Sequence, residues 1–133
     1  MAKLNSEVKN VIAKQGVFPM ATASKDGLPN VVPMTFVKVY DDEHLLIVDN
    51  FMEKSKDNLI NNPYVAICVW SMEDKQAYQI KGKAAIHTSG QIFDEAVAWV
   101  KREMPVLQPK SAVLIEITNI YVCQPGDNLG KEL

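Results

Sequence analysis

The sequence predicts a mainly β fold, a six-stranded antiparallel barrel that is closed or nearly closed, with two to three peripheral helices. Three observations lead to this fold class. Six strand-like runs follow one another, the links between them are short except where a helix intervenes, and 133 residues with 47% hydrophobic content suffice for one core. We therefore expect a single domain over residues 1–133. A ferredoxin-like sandwich is the main rival, but the three-strand meander before the second helix does not fit its βαββαβ order.

The first part of the chain reads as a helix followed by that meander. Apolar residues at helical spacing over residues 4–12 predict a helix within residues 1–16, with Asn5 or Ser6 as its cap and Gly16 as its end. A turn at residues 25–27, in which glycine takes the positive φ, separates the first two strands. The predicted strands of the meander cover residues 17–23, 31–40 and 45–48.

The middle of the chain predicts a short helix and two long strands. The helix covers residues 53–61 and ends at Asn62, because a residue before proline avoids helical geometry. Residues 64–70 are nearly all apolar, which is typical of a strand covered on both faces. Residues 78–87 instead alternate between apolar and polar side chains, so one face of that strand should be exposed to solvent.

The last part of the chain predicts a third helix, a final strand and a tail. Residues 91–104 carry an apolar stripe at helical spacing, and Pro105 marks their end. The final strand covers residues 112–122. Pro125 and Gly126 then turn the chain into a polar tail, residues 124–133, which we expect to be disordered.

Charge, hydropathy and cysteine usage exclude several function classes. A formal net charge of −2, from 14 basic and 16 acidic side chains, offers no electrostatic footprint for nucleic acid. No stretch resembles a signal peptide or approaches the ~20 apolar residues of a membrane span, so we expect a cytoplasmic protein. Cys68 and Cys123 lie inside apolar runs, which predicts reduced, buried thiols and neither a disulfide nor a metal site.

The most informative stretch is residues 30–63, where two strand-like runs lead into a helix that opens with Lys54 and Ser55. A helix start offers unpaired N–H groups and partial positive charge, so a lysine and a hydroxyl there suit a phosphate. This order of parts resembles the flavin-binding half of the pyridoxamine 5'-phosphate oxidase-like split β-barrels, which hold flavin mononucleotide (FMN). The resemblance covers roughly residues 5–122.

The resemblance implies a set of cofactor-binding residues on three consecutive elements. The strand before the cofactor would supply main-chain contacts, the following strand would supply contacts at its end, and the helix start would supply the phosphate clamp. These groups are, in order, Val32, Pro33, Met34 and Thr35; Asp49, Asn50 and Phe51; and Lys54, Ser55 and Asn58.

Each assignment has a plainer structural interpretation beside it. Met34 and Thr35 can be packing residues of a strand, and an Asp-Asn pair before a helix often only initiates that helix. Lys54 at a helix start can be a solvated side chain. Trp70 and Trp99 can be core or interface aromatics, or can stack on a flavin ring.

The resemblance implies a homodimer with FMN at its interface, acting as an oxidoreductase or electron-transfer protein on a small molecule or redox partner. A non-catalytic flavin- or ligand-binding module, or a purely structural dimer, is the alternative, and a deazaflavin in place of FMN also stays open. No catalytic acid–base residue is apparent. Full oxidases carry an arginine in the strand that here covers residues 30–35, and a terminal segment with arginine and histidine. The tail here has only Lys131, so pyridoxamine phosphate oxidation is the less expected activity.

Overall fold

The computed structural model of the chain describes residues 2–50 and 52–133. Within these residues, three helices and seven strands are formed. The helices are α1 (Ser6–Lys14), α2 (Lys54–Asn61) and α3 (Gln91–Glu103). The strands are β1 (Phe18–Ala23), β2 (Pro29–Met34), β3 (Val37–Asp41), β4 (His44–Asp49), β5 (Tyr64–Ser71), β6 (Gln76–His87) and β7 (Ser111–Val122).

One antiparallel sheet holds these strands in the order β2-β1-β5-β6-β7-β4-β3. β2 and β3 therefore lie at opposite edges, although only Thr35 and Phe36 separate them in the sequence. Two residues cannot bridge a flat sheet of this width, so the sheet has to curl until its edges approach each other. The result is the predicted split barrel.

The curled sheet encloses the main core, and α1 closes one side of it. Asn5 caps α1 by accepting a hydrogen bond from the Val8 N–H at 2.9 Å, as predicted. Val8, Val11 and Ile12 then place the apolar stripe of the helix in the main core. α3 covers the opposite face of the sheet, where Ala96 and Val100 pack in a second cluster with Leu46, Val48, Phe36 and Ala112.

The single strand predicted over residues 31–40 is wrong, because the structure forms β2 and β3 there and has seven strands where six were predicted. No glycine or turn pair marks the break at Thr35 and Phe36. The break is imposed by topology, since the chain crosses at that point from one edge of the sheet to the other.

The prediction that residues 64–70 are covered on both faces is also wrong. Burial alternates along β5, so that Val65, Ile67 and Val69 face the core while Tyr64 and Trp70 are exposed. β4 is the strand buried on both sides, because its neighbours β3 and β7 leave one face to the core and the other to α3. β6 alternates as predicted, with Tyr78, Ile80 and Gly82 inside.

The two cysteines are exposed free thiols, which corrects their predicted burial. Cys68 lies on the outward face of β5, and Cys123 follows the end of β7. Local desolvation nevertheless raises the pKa of the Cys68 thiol above its ordinary value. An apolar neighbourhood in sequence did not indicate which face of the strand the thiol occupies.

The tail is ordered against β7, contrary to the predicted disorder. β4 begins at His44 opposite Glu116, which leaves the β7 edge beyond Glu116 without a strand partner among the described residues. The tail occupies it: the Gly130 N–H donates to the Val122 carbonyl and the Leu133 N–H to the Ile120 carbonyl, both at 2.8 Å. Within residues 2–50 and 52–133, no helix has the length and apolar character needed to span a bilayer.

Candidate functional site

A cleft of about 400 Å³ opens where the edge strand β2, the end of β4 and the start of α2 meet. The structure brings most of the predicted cofactor residues together at this place. Those that line the cleft are Val32, Pro33, Met34, Thr35, Asn50, Lys54 and Ser55.

β2 contributes main-chain groups to the cleft because it is an edge strand. It pairs with β1 on one side only, in a register that joins Phe18 to Met34 and Ala23 to Pro29. The N–H and C=O groups that point away from β1 therefore lack a strand partner and are available to a ligand. Pro33 is tolerated in this strand for the same reason.

The start of α2 forms one rim of the cleft. Glu53 occupies the N-cap position but makes no side-chain capping hydrogen bond, so no side chain competes for the first amides of the helix. Lys54 is exposed beside them. Glu53 brings a carboxylate to the same rim, so an anion bound here would rely on Lys54 and the helix amides against that repulsion.

Ser55 is held in place by a polar network under the cleft. Its side chain is 2% exposed, and its Oγ accepts a hydrogen bond from Asn30 Nδ2 at 3.0 Å. Asn30 Nδ2 also donates to Thr22 Oγ1 at 3.2 Å, and Asn58 Nδ2 donates to the same oxygen at 3.0 Å. The network fixes α2 against β1 and β2 and leaves the Ser55 hydroxyl proton available to a ligand.

Asn58 and Asp49 do not line the cleft. Asn58 is part of the supporting network. Asp49 is fully buried, where Oδ1 accepts from the Met52 N–H at 2.8 Å and Oδ2 accepts from Ser111 Oγ at 3.0 Å. These bonds fix the turn from β4 to α2, as the structural interpretation of an Asp-Asn pair predicts. Direct contact of Asp49 or Asn58 with a cofactor stays a prediction.

Asn50 is the polar group whose environment points most directly to a ligand. Its side chain is 9% exposed and lines the cleft, yet Oδ1 has no hydrogen-bond partner among the residues that the structure describes. A buried polar atom without a partner costs about 1–3 kcal/mol. A donor on a bound molecule would remove that cost. Phe51, the next predicted residue, lies outside the described residues.

Sequence reasoning missed several residues of the cleft. Asn30 and Glu53 carried a weak signal, because each is a polar residue at the border of a predicted element. Val48 and Met52 carried none, since the folding of the chain brings them to the cleft. Among the described residues, no group of three His, Cys, Asp or Glu side chains is placed to hold a metal ion.

Comparison with known proteins identifies the family and one relative of this chain. A family model described as pyridoxamine 5'-phosphate oxidase matches residues 4–124. An uncharacterised protein of Methanocaldococcus jannaschii is 41% identical over 133 residues, which cover 98% of this chain and 88% of the relative.

Three solved structures show the same fold. HupZ of Group A Streptococcus is 28% identical with a TM-score of 0.84, and the match covers 96% of this chain and 99% of that one. An FMN-binding protein of Syntrophomonas wolfei is 14% identical with a TM-score of 0.77, over 89% and 84% of the two chains. HutZ, the heme storage protein of Vibrio cholerae, is 18% identical with a TM-score of 0.68, over 90% and 94%.

Proposed function

This chain belongs to the pyridoxamine 5'-phosphate oxidase family, and we propose that it binds FMN in the cleft along β2 and acts as an oxidoreductase or electron-transfer protein. The observation that carries the proposal is the buried Asn50 Oδ1, which has no partner among the described residues, in a cleft whose rim is a helix start with Lys54 and no side-chain cap. A molecule with a phosphate at one end and a hydrogen-bonding ring at the other matches both features.

The cleft residues divide into a phosphate end and a ring end. Lys54, the Ser55 hydroxyl and the first amides of α2 would hold the phosphate. β2 runs from Asn30, which contacts Ser55, towards Thr35 and Phe36. The ring would therefore lie beside the apolar side chains at that far end, with main-chain groups of β2 and the Asn50 amide along its edge.

FMN would supply the redox chemistry, and the protein residues would position it and limit the access of water. Asn50 would orient the polar edge of the ring by accepting a hydrogen bond. Met34, Phe36 and Val48, all buried, would exclude water from one side of the cleft. The side of β2 away from β1 stays open, so a small molecule or a redox partner can approach.

A heme in this cleft is less well supported. Heme iron in proteins is held by histidine, cysteine, tyrosine or methionine. Among the described residues that line the cleft, only Met34 and Met52 belong to this group. An anion site at α2 suits heme propionates as well as a phosphate, so it is the shortage of iron ligands that favours a phosphorylated flavin or deazaflavin.

The first test is a titration of the protein with FMN and with riboflavin, followed by absorption and flavin fluorescence. Lys54→Ala removes a charge-assisted hydrogen bond worth about 1.5–3 kcal/mol. The variant should therefore bind FMN about tenfold to a hundredfold more weakly than the parent. Riboflavin, which lacks the phosphate, should bind parent and variant equally. Lys101→Ala, an exposed lysine of α3 away from the cleft, is the matched control and should change neither affinity.

The same preparations decide between turnover and simple binding. Dithionite or a nicotinamide donor should bleach the visible band of the bound flavin, and oxygen or a one-electron acceptor should restore it. A flavin that no reductant bleaches would favour the non-catalytic binding module. A protein that binds no flavin at all would refute the proposal, and mass spectrometry of the copurified cofactor distinguishes FMN from a deazaflavin.

Pyridoxamine phosphate is not the substrate we propose. A dianionic substrate would need cations beside the cleft, but the tail supplies only Lys131 and packs against the far end of β7. At about 3.3 Å per residue, the path along β7 from Ser111, which contacts Asp49, to that end is about 36 Å long. Saturable conversion of pyridoxamine phosphate at rates near ~1 s⁻¹ would contradict this exclusion.

We further propose that the protein is a homodimer with the cofactor at the interface. Outward-facing side chains of β1, β2 and β5 are apolar and half-buried or exposed, among them Val31 at 65% and Tyr64 at 62%. Val31 also lines the cleft, so a partner packed on this face would reach the open side of the cofactor site. Two exposed free thiols fit a reducing compartment, and on that basis we place the protein in the cytoplasm.

A further inference from the structure

A second cavity, of about 690 Å³, lies between α1, β3 and the C-terminal end of α3. We call it the Trp99 groove and define it by Ile12, Phe36, Lys38, Trp99 and Met104, which line it. The groove and the cofactor cleft share two lining residues, Thr35 and Phe36. These are the residues that link β2 to β3, so the two cavities lie on either side of one short link.

The groove has an aromatic floor. The rings of Phe36 and Trp99 meet edge to face, with centroids 5.4 Å apart and an interplanar angle of 79°. This arrangement holds both rings in fixed orientations, because each restricts the rotation of the other. Trp99 is only partly buried, so part of its indole ring is available to a ligand.

The charges around the groove favour one negative group and disfavour several. Lys38 Nζ lies 4.4 Å from the centre of the Trp99 ring and forms no ion pair with the described residues. Lys9, the other lysine of the groove, is already paired with Asp42. Glu103 and the carbonyl end of α3 add negative charge to the groove, which opposes a pyrophosphate or any polyanion.

We propose that the Trp99 groove binds a planar aromatic compound that carries a single anionic group. Its ring would pack on the exposed part of Trp99 and against Met104, and its anion would pair with the Lys38 ammonium. A ligand with two or more phosphates is disfavoured by Glu103 and the end of α3. A purely aliphatic acid would gain the ion pair but not the aromatic contact.

The position of the groove assigns its ligand a role in the proposed function. Thr35 and Phe36 line both this groove and the ring end of the cofactor cleft, so its occupant would lie beside the flavin and alter the surroundings of the flavin ring. This role rests on the proposed FMN binding. The binding of the aromatic anion itself does not, and it is measurable in the protein without flavin.

Tryptophan fluorescence tests the binding directly, because the chain has only two tryptophans. Trp70→Phe leaves Trp99 as the sole emitter, and Trp99→Phe leaves Trp70. Titration with 4-nitrobenzoate, a quenching aromatic anion, should quench Trp99 saturably and quench Trp70 only in proportion to concentration. The neutral analogue 4-nitrobenzyl alcohol should bind about tenfold more weakly, because the ion pair with Lys38 is missing.

Lys38→Gln in the Trp70→Phe protein identifies the cation. It should lower the affinity for 4-nitrobenzoate about tenfold, to that of the neutral analogue, whereas Lys101→Gln on α3 should leave it unchanged. Saturable quenching in both single-tryptophan proteins, equal affinity for the anionic and neutral probes, or no saturable quenching of Trp99 would each overturn the proposal.

The FMN-loaded protein tests separately whether a ligand in the Trp99 groove affects the flavin across Thr35 and Phe36. Addition of 4-nitrobenzoate should shift the visible spectrum of the flavin, and Lys38→Gln should reduce that shift. An unperturbed flavin spectrum alongside saturable Trp99 quenching would overturn the assigned role and leave FMN binding intact. A protein that binds no FMN but still shows the Trp99 quenching would refute only the cofactor.

Discussion

Gly82 occupies a position in β6 where a side chain has no room. A Cβ atom built there would lie 2.5 Å from Ile115 Cγ2 and 2.6 Å from the Glu116 carbonyl oxygen. The second of these atoms belongs to the backbone of β7, which β4 holds on its other side. The pairing of β6 with β7 also shifts register between Lys81 and Gly82. The glycine therefore permits the close approach of these two strands.

Gly82→Ala should lower the free energy of unfolding by roughly 1–3 kcal/mol, because the methyl group overpacks a site that cannot expand. Urea unfolding followed by far-UV circular dichroism measures the change. Gly16→Ala is the matched control, since a Cβ there meets no atom within 4 Å, and it should stay within about 0.5 kcal/mol of the parent. Equal stability of the two variants would show that β7 can move away from β6 at this position and make room for the methyl group.

At the scale of residues, the sequence predicted those cleft residues whose position depends only on their neighbours in the chain. Lys54 and Ser55 line the cleft because a helix start is a local feature of the chain. Asp49 shows the limit of this reasoning, since its position before a helix indicated either a cofactor contact or a helix-initiating turn, and the structure supplies the bonds of the turn. Phe36 reaches the cleft only through the curl of the sheet.

At the scale of elements, an ion pair joins α1 to the turn between β5 and β6. Lys14 Nζ lies 2.8 Å from Asp74 Oδ2, and Ser71 Oγ donates to the same carboxylate oxygen at 3.0 Å. The hydrogen bond from Lys14 lowers the pKa of Asp74 below its usual value of 3.8. The same bond raises the pKa of Lys14 above 10.5. Both groups are therefore charged at neutral pH.

Lys14→Gln should lower the urea midpoint at pH 7, and this deficit should shrink as the pH is lowered. A carboxyl with a lowered folded-state pKa stabilises the fold above its unfolded pKa, and that contribution is lost as the pH falls through the folded value. The difference from the parent should accordingly begin to shrink near pH 4, the unfolded pKa of an aspartate, and vanish as the pH falls below the lowered folded-state pKa of Asp74. Lys25→Gln in the β1–β2 turn, which lacks an ion pair within the described residues, is the control. A deficit that persists unchanged to pH 3 would assign the stabilisation to the aliphatic stem of Lys14.

The positions of helices and strands were predictable where their periodicity is set by the chain itself. Asn5 capping of α1 and the alternation of β6 follow local rules, and both predictions are confirmed. The two-sided burial assigned to residues 64–70 was wrong because an apolar run indicates only that water is excluded from both faces. The apolar sequence does not indicate whether a helix of the same chain or another molecule would cover each face. In β5 the outward face carries Tyr64 and Trp70, which the fold of one chain leaves exposed.

At the scale of the whole molecule, the order of strands decides where the cleft forms. β2 and β3 are adjacent in the chain but lie at opposite edges of the sheet, so their link has to cross the gap between the edges. The cofactor cleft and the Trp99 groove both use this link. The barrel class was predictable from the number and spacing of strands. The split at the link was not, because no residue in it is a recognisable turn signal.

An exposed apolar surface on one side of the sheet is the reason that we expect a second copy of the chain to bind there. β1, β2 and β5 are neighbours in the sheet, and their outward residues form one apolar surface. Val31 is 65% exposed on it and Trp70 37%. Soluble monomers rarely leave a contiguous surface of this kind uncovered, and interfaces between copies are enriched in aromatic side chains.

Tyr64→Glu should convert the proposed homodimer into a monomer, because the interface would have to bury a carboxylate without a partner. Light scattering at micromolar concentration should give half the parent mass, and FMN affinity should fall with it, since the proposed partner would contribute contacts at the edge of the cleft. Val106→Glu is the matched control: Val106 is 84% exposed in the loop after α3, and the variant should keep the parent mass and affinity. A parent protein that is monomeric with FMN bound would contradict the dimer. A monomeric Tyr64→Glu variant with unchanged FMN affinity would contradict only the shared site, and would place the whole cofactor within one chain.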